Sequence, residues 1–248
     1  MRTVVVGAST GLGRCIGIGL GRRGMRVALL ARRTDLLIDA AREAGPGALA
    51  LTCDVTDESS IQSAVEEAAT GLGGIDGLVY CPAIGPLVRL ADTDGETWRR
   101  VFDTNVIGAS LVAAAAVPHL TASGGTAVFL SSVQASMTAP MPGLGAYAVS
   151  KAALDRLVDA WRAEHPAVGF SRVTVGDCFG GEGHGLTHFA DDWDPELASE
   201  LYAVWTRRGL LAGTFLDVEE LVRVVEALLR SGPSGSIPHM VVTPRGPG

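Results

Sequence analysis

Apolar positions along this chain fall into two alternating rhythms. Short aliphatic and β-branched runs, Thr3–Val6, Arg26–Ala31, Ala48–Thr52, Asp76–Tyr80, Gly125–Leu130, Val168–Val175 and Ile237–Val242, read as buried strands. Between them apolar residues recur at steps of three and four. That spacing predicts helices from the Gly7–Gly13 turn to about Arg23, and over Leu36–Ala44, Glu58–Thr70, Ala146–Trp161, Pro195–Arg208 and Val218–Leu229. A further helix is capped by Asp92–Trp98, passes through Asn105 and reaches about Val117. Strands that alternate with helices build parallel sheets, because each crossover must travel back the length of a strand. The expected fold class is therefore α/β: a Rossmann-like, doubly wound, seven-stranded parallel sheet with helices on both faces. Its expected strand order is 3-2-1-4-5-6-7, in a single domain over residues 1–248.

Composition narrows the classes of partner. The chain is 47% hydrophobic with 32 glycines, as strands buried on both faces and joined by tight turns require. A formal charge of −7 without a basic run argues against nucleic acid or an anionic membrane. Cys15, Cys53, Cys81 and Cys178 lie far apart with no Cys-x-x-Cys pair, the pattern of reduced thiols in a cytoplasmic protein. The first apolar run stops at Gly7, too short for an export signal. Val106–Val117 is too short to cross a bilayer and is expected to end at Pro118. Apolar surface on the helices around Val101–Val117 and Leu154–Trp161 predicts a homo-oligomer, dimer or tetramer.

The candidate chemistry centres on Tyr147 and Lys151. Lys151 is the only lysine in a chain that otherwise carries its positive charge on arginine. Four residues apart on a helix, the two side chains lie on one face, and a nearby cation favours a phenolate. Such a pair makes a general acid/base out of tyrosine. At the other end of the chain, Gly7-Ala-Ser-Thr-Gly11-Leu-Gly13 between a strand and a helix forms an anion cradle of backbone N–H groups. The spacing is looser than the usual dinucleotide fingerprint. The second strand ends in Arg32-Arg33, with no carboxylate before Asp35. Arginine there suits the 2′-phosphate of NADP, so NADPH is expected and NAD is the less favoured cofactor.

These features stand in the order of the short-chain dehydrogenase/reductase family, which the chain resembles over essentially its whole length. The resemblance rests on Gly7, Gly11 and Gly13, on Asp54 after the third strand, and on Asn105, Ser132, Tyr147 and Lys151. It implies catalytic roles for the last four. Tyr147 would exchange a proton with a carbonyl or alcohol oxygen, and Ser132 would donate to that oxygen. Lys151 would lower the phenol's pKa and contact the nicotinamide ribose, and Asn105 would hold a water that links Lys151 to solvent. Cofactor contacts are implied for Gly7, Ser9, Thr10, Gly11, Leu12 and Gly13, for Arg32, Arg33, Asp54, Val55 and Ala83, and for Tyr147 and Lys151. The substrate implied is a small carbonyl or alcohol compound.

Three departures stand out. Tyr80-Cys81-Pro82-Ala83 replaces the family's Asn-Asn-Ala-Gly. Gly176-Asp177-Cys178-Phe179 replaces its Pro-Gly, leaving Thr187 a loose candidate for the nicotinamide end. A longer gap between Ser132 and Tyr147 keeps Ser131 open as the serine. Residues 176–215 read as a loop and helical cover over the site, with Phe179, Phe189, Trp193, Tyr202 and Trp205 as core or pocket lining. His184 and His188 beside Glu182, Asp191 and Asp192 suggest a metal only superficially, since the glycines around them oppose a helix that would align the rings. The leading expectation is an NADP(H)-dependent ketoreductase acting on an apolar or aromatic molecule. A cofactor-binding sensor and a partner-binding protein with a retired site are the alternatives.

Overall fold

In the computed structural model, which describes residues 1–232 and 234–246, seven parallel strands form one sheet in the order β3-β2-β1-β4-β5-β6-β7. The chain runs β1 (Arg2–Val6), α1 (Gly11–Arg22), β2 (Arg26–Ala31), α2 (Thr34–Ala44), β3 (Leu49–Thr52), α3 (Glu58–Leu72) and β4 (Gly77–Tyr80). It continues through α4 (Gly95–Phe102), α5 (Gly108–Ser123), β5 (Thr126–Ser132), α6 (Gly145–Glu164), β6 (Gly169–Val175), α7 (Pro195–Arg207), α8 (Val218–Leu229) and β7 (His239–Val242). After β3 the winding reverses across β1, and the reversal opens a crevice at the carboxyl ends of β1 and β4.

Strand alternation divides the core in two. Val4, Val6, Leu78, Tyr80 and Phe129 face one side, against Ile61 and Val65 of α3, Val112 of α5 and Leu154 and Val158 of α6. Val5, Leu29, Val79, Val128 and Val173 face the other, against Ile16 and Leu20 of α1, Leu37 of α2 and Leu221 and Val225 of α8. Both faces are covered, which is why these strands read as unbroken apolar runs. Gly13 lets α1 close onto the end of β1: a Cβ there would stand 2.2 Å from the Gly7 carbonyl oxygen.

One helix departs from expectation. α4 and α5 join through a widened turn, Asp103–Ile107, into one helical stretch of 29 residues that passes through Pro118 to Ser123. Pro118 and Ala114 both face outward. The Ala114 carbonyl, which a residue 118 N–H would otherwise engage, therefore lies on the solvent side, and the missing bond is tolerated. With a mean hydropathy of 1.6 in its most apolar window, the stretch is long and apolar enough to cross a membrane, contrary to the reading of Val106–Val117. Here it is a packed helix of the fold, with Ala109, Val112, Ala113, Ala116 and Leu120 in the core.

Candidate active site

The first turn of α1 is built to meet an anion. Its N-cap, Thr10, makes no side-chain cap, and no acidic residue occupies the turn, so the leading N–H groups are left to an outside acceptor. Gly7 and Ala8 both donate to the Leu30 carbonyl, at 2.7 and 3.1 Å, and so fix the turn against β2. Arg33 reaches back over it to Ser9 Oγ at 3.1 Å and Thr10 Oγ1 at 2.6 Å. Arg32 is exposed and directs its charge at Asp54 instead. Burial pushes the Asp54 carboxyl up, but the Thr56 N–H and hydroxyl, at 2.9 and 2.7 Å, together with Arg32, hold it below the usual range. Val55 is buried behind Asp54, and Leu12 is half-buried on α1. An uncapped helix start with a guanidinium on its hydroxyls, and a second guanidinium and a carboxylate beyond, fits a nicotinamide dinucleotide.

The reacting end lies where β5 meets α6. Ser132 ends β5, and Tyr147 and Lys151 occupy successive turns of α6. Ser132, not Ser131, faces the phenol, because strand alternation sends Ser131 to the opposite side. Burial raises the Tyr147 phenol above its ordinary value, and the Ser132 hydroxyl opposes that rise. Lys151 is 2% exposed and donates from Nζ to the Leu130 carbonyl at 2.7 Å. Its ammonium lies 5.9 Å from the centre of the Tyr147 ring. Burial lowers Lys151 to about 8, against a weaker upward pull from the Asp155 carboxylate. Helical adjacency alone suggested that the cation would draw the phenol down; in the fold, burial shifts each group toward its neutral form.

Asn105 is fully buried in the widened turn between α4 and α5. Its Nδ2 donates to the Ile84 carbonyl and to Ser150 Oγ, both at 2.9 Å, and its Oδ1 accepts the Ile84 N–H at 2.8 Å. Ser150 in turn donates to the Tyr147 carbonyl at 2.7 Å. Both amide protons are thus engaged, and the side chain ties the loop after β4 to the helix that carries Tyr147. Ser150 and Ile84 belong to no motif in the sequence, and Tyr80 stands there only as a departure from one. Ser150 has a signal in hindsight: a buried hydroxyl three residues after Tyr147.

The departures from the family pattern acquire structural roles. Tyr80 donates to the Thr104 carbonyl at 2.5 Å. Burial pushes the Cys81 thiol up to about 12, so it stays protonated. Ala83 lies half-buried in the loop that leads to Ile84. Asp177 accepts the Ala212 N–H at 3.1 Å and so pins the far end of the cover. Thr187 sits over the phosphate turn: a Cβ on Gly11 would be 3.5 Å from Thr187 Cα, and Cys15 Sγ donates to the Gly185 carbonyl at 3.5 Å.

The aromatic residues of the cover divide into two sets. Phe189 meets the Tyr147 ring edge-on at 4.9 Å, Trp193 meets Phe189 at 5.6 Å, and Trp205 meets Trp193 at 6.0 Å. Leu87, Met141, Leu144 and Leu201 complete this apolar cluster around the phenol. Phe179 turns away to Phe215, at 4.0 Å, and Tyr202 is exposed. His188 pairs with Asp191 at 2.5 Å, and no cluster that could hold a metal occurs among the described residues.

Comparison with known proteins agrees with this geometry. The family model for short chain dehydrogenase matches residues 2–181. Glycine betaine reductase ATRR of Emericella nidulans is 36% identical over 175 residues, 69% of this chain and 14% of that protein. Short chain dehydrogenase mpl6 of Monascus purpureus is 34% identical over 176 residues, 66% of this chain and 60% of that one. The chain therefore aligns with less than two thirds of either relative. A short-chain type dehydrogenase/reductase from Mycobacterium marinum superposes with a TM-score of 0.79 at 26% identity, covering 98% of this chain and 93% of that one. The matched span contains the glycine turn, Asn105, Ser132, Tyr147 and Lys151, and it stops at residue 181, before Phe189 and the α7 part of the cover. With motif order, fold and relatives in agreement, the chain belongs to the short-chain dehydrogenase/reductase family of oxidoreductases.

Proposed function

We propose that the chain is an NADP(H)-dependent oxidoreductase that interconverts a ketone and a secondary alcohol on an apolar or aromatic small molecule. The observation that carries this reading is the meeting of Ser132, Tyr147 and the chain's only lysine at the carboxyl end of β5. A bound nicotinamide cofactor would supply the hydride for reduction and, in its oxidised form, accept one in the reverse direction.

Every other step belongs to side chains. A phenol raised by burial keeps its proton at neutral pH, so Tyr147 is poised to donate to a carbonyl oxygen. Ser132 adds a second donor at the oxygen where charge develops. Lys151 carries its charge below about pH 8 and stabilises the phenolate left behind. One of its protons is engaged by Leu130, which leaves two for the cofactor ribose. Asn105 holds the Tyr147 helix and the β4 loop in register through Ser150 and Ile84. Arg32 and Arg33 follow β2, where either guanidinium would pair with a 2′-phosphate, which supports NADPH over NADH. The cluster around Leu87, Met141 and Trp205 suits an apolar substrate and excludes water. The reading includes a cytoplasmic homo-oligomer.

The test is cofactor oxidation by the purified chain with a panel of apolar and aromatic ketones, using NADPH and NADH in parallel. The expected result is faster oxidation of NADPH with at least one ketone. Tight NADPH binding without turnover of any carbonyl or alcohol overturns the enzyme reading in favour of a cofactor sensor.

A further inference from the structure

We infer that Phe189 determines substrate shape, that its ring is seated in a notch at Gly85, and that the substrate it admits is a flat aryl or conjugated carbonyl compound. This inference rests on the reading of Tyr147 as the acid/base.

The notch is defined by what cannot fit there. A Cβ at Gly85 would stand 2.0 Å from Phe189 Cζ and 2.4 Å from Cε2. Gly85 does not have the left-handed backbone that would itself demand glycine. The close approach of Phe189 is therefore what excludes a side chain at this buried position.

Both sides of the contact are anchored. Behind Gly85, the N–H and carbonyl of Ile84 are held by Asn105, at 2.8 and 2.9 Å. On the cover, Trp193 stands nearly perpendicular to Phe189 and donates from Nε1 to the Gly85 carbonyl at 2.8 Å. The ring is thus clamped between the β4 loop and the cover. From that seat its other contact is the Tyr147 ring, 4.9 Å away at 66°.

A carbonyl oxygen that takes the Tyr147 proton must come within about 3 Å of the phenol oxygen. The group attached to the carbonyl carbon then lies beside the ring that contacts the phenol. A planar group can lie along the Phe189 and Trp193 rings, whereas a branched carbon next to the carbonyl meets the Phe189 edge. The family match ends at residue 181, so Phe189 and Trp193 lie in the part of the chain outside it.

The experiment is a double-mutant cycle of wild type, Gly85→Ala, Phe189→Ala and the double variant, with two readouts. The first is kcat/KM with NADPH for acetophenone-type flat ketones against tert-butyl ketones. The second is the Trp193 share of tryptophan emission, taken as the difference from the same variant carrying Trp193→Phe, which reports whether Trp193 keeps its seat and needs no turnover. Phe189→Ala is expected to shift the ratio toward the branched ketones by about tenfold or more. Gly85→Ala is expected to move the ratio the same way and to red-shift the emission. In the Phe189→Ala background it is expected to change neither, because the added methyl then meets no ring. Equal effects of Gly85→Ala in both backgrounds, or an unchanged ratio in Phe189→Ala, overturn the inference. Should wild type reduce no ketone, the acid/base reading is what fails, and the emission cycle alone decides the seating: additive effects reject it and non-additive effects support it.

Discussion

The Tyr80 phenol, 1% exposed at the end of β4, donates to the Thr104 carbonyl at 2.5 Å, one residue before Asn105. A strand end is thereby fastened to the widened turn that carries a site residue. Widened turns tilt carbonyls off the helical ladder, and a buried one needs another donor. Tyr80→Phe keeps the ring and leaves that carbonyl without the phenol. Denaturant unfolding is expected to show a loss of about 1–3 kcal/mol. Because the turn positions Asn105, turnover should also fall severalfold while cofactor affinity holds.

Lys151 gives stability a defined pH dependence. Its folded pKa, lowered by burial from 10.5 to about 8, means that the unfolded chain keeps this proton to higher pH than the folded one. Between those values the unfolded state binds more protons, so this group's contribution to stability rises with pH across the window. Below about pH 8 the full penalty, about 3 kcal/mol, is present. Lys151→Met should remove the penalty and lose the charge-assisted bond to Leu130, worth about 1.5–3 kcal/mol. The variant is expected to be inactive, at least as stable as wild type at pH 7, and progressively less advantaged above pH 8. Unfolding curves at several pH values check the sign and the window.

Tyr147→Phe separates chemistry from binding. The ring keeps its packing against Phe189, so the fold should survive. Turnover is expected to drop by roughly 10² to 10⁴ with NADPH affinity little changed. Lys151→Arg should damage both, because the planar fork cannot occupy the buried ammonium's place against Leu130.

Cofactor preference should respond to both arginines, in different ways. Arg33 bridges Ser9 and Thr10, while Arg32 faces Asp54. Arg32→Asp is expected to lower NADPH affinity by about one to two decades, a loss of about 1.5–3 kcal/mol, with NADH affected less. Arg33→Ala should weaken NADPH and also loosen the phosphate turn. Titration of both cofactors separates the two effects, and an unchanged preference in Arg32→Asp assigns the 2′-phosphate to Arg33.

Association is expected through α5 and α6. Ile107 is exposed, while Leu111, Leu157 and Trp161 are only partly covered by the core. Light scattering at micromolar concentration should give the mass of a dimer or tetramer, and a monomer mass would contradict this.

The sheet was legible because burial on both faces writes itself as unbroken runs such as Val4–Val6 and Ala127–Leu130. The glycine turn and the Tyr147–Lys151 pair were legible because each is local. Whatever depends on a distant neighbour was not. Proline at 118 signals a helix end until its outward placement beside Ala114 is known. Helical spacing puts a cation near Tyr147, yet the ammonium turns to Leu130, and burial dominates both pKa values. Phe179 and Phe189 are indistinguishable in the sequence; one pairs with Phe215 and the other with Tyr147. Asn105 was identified by its motif, but the structure alone shows its grip on Ile84 and Ser150.

The chain's single lysine also has a practical consequence. Apart from the terminal amine, Lys151 is the only primary amine available to acylating or reductive alkylating reagents. At 2% exposure, lying under Leu130, it should react slowly in the resting fold and faster whenever the site opens. A carbon-13 methyl label placed there would give the one side-chain resonance, beside that of the terminal amine, and would report charge, cofactor occupancy and local opening without a mutation.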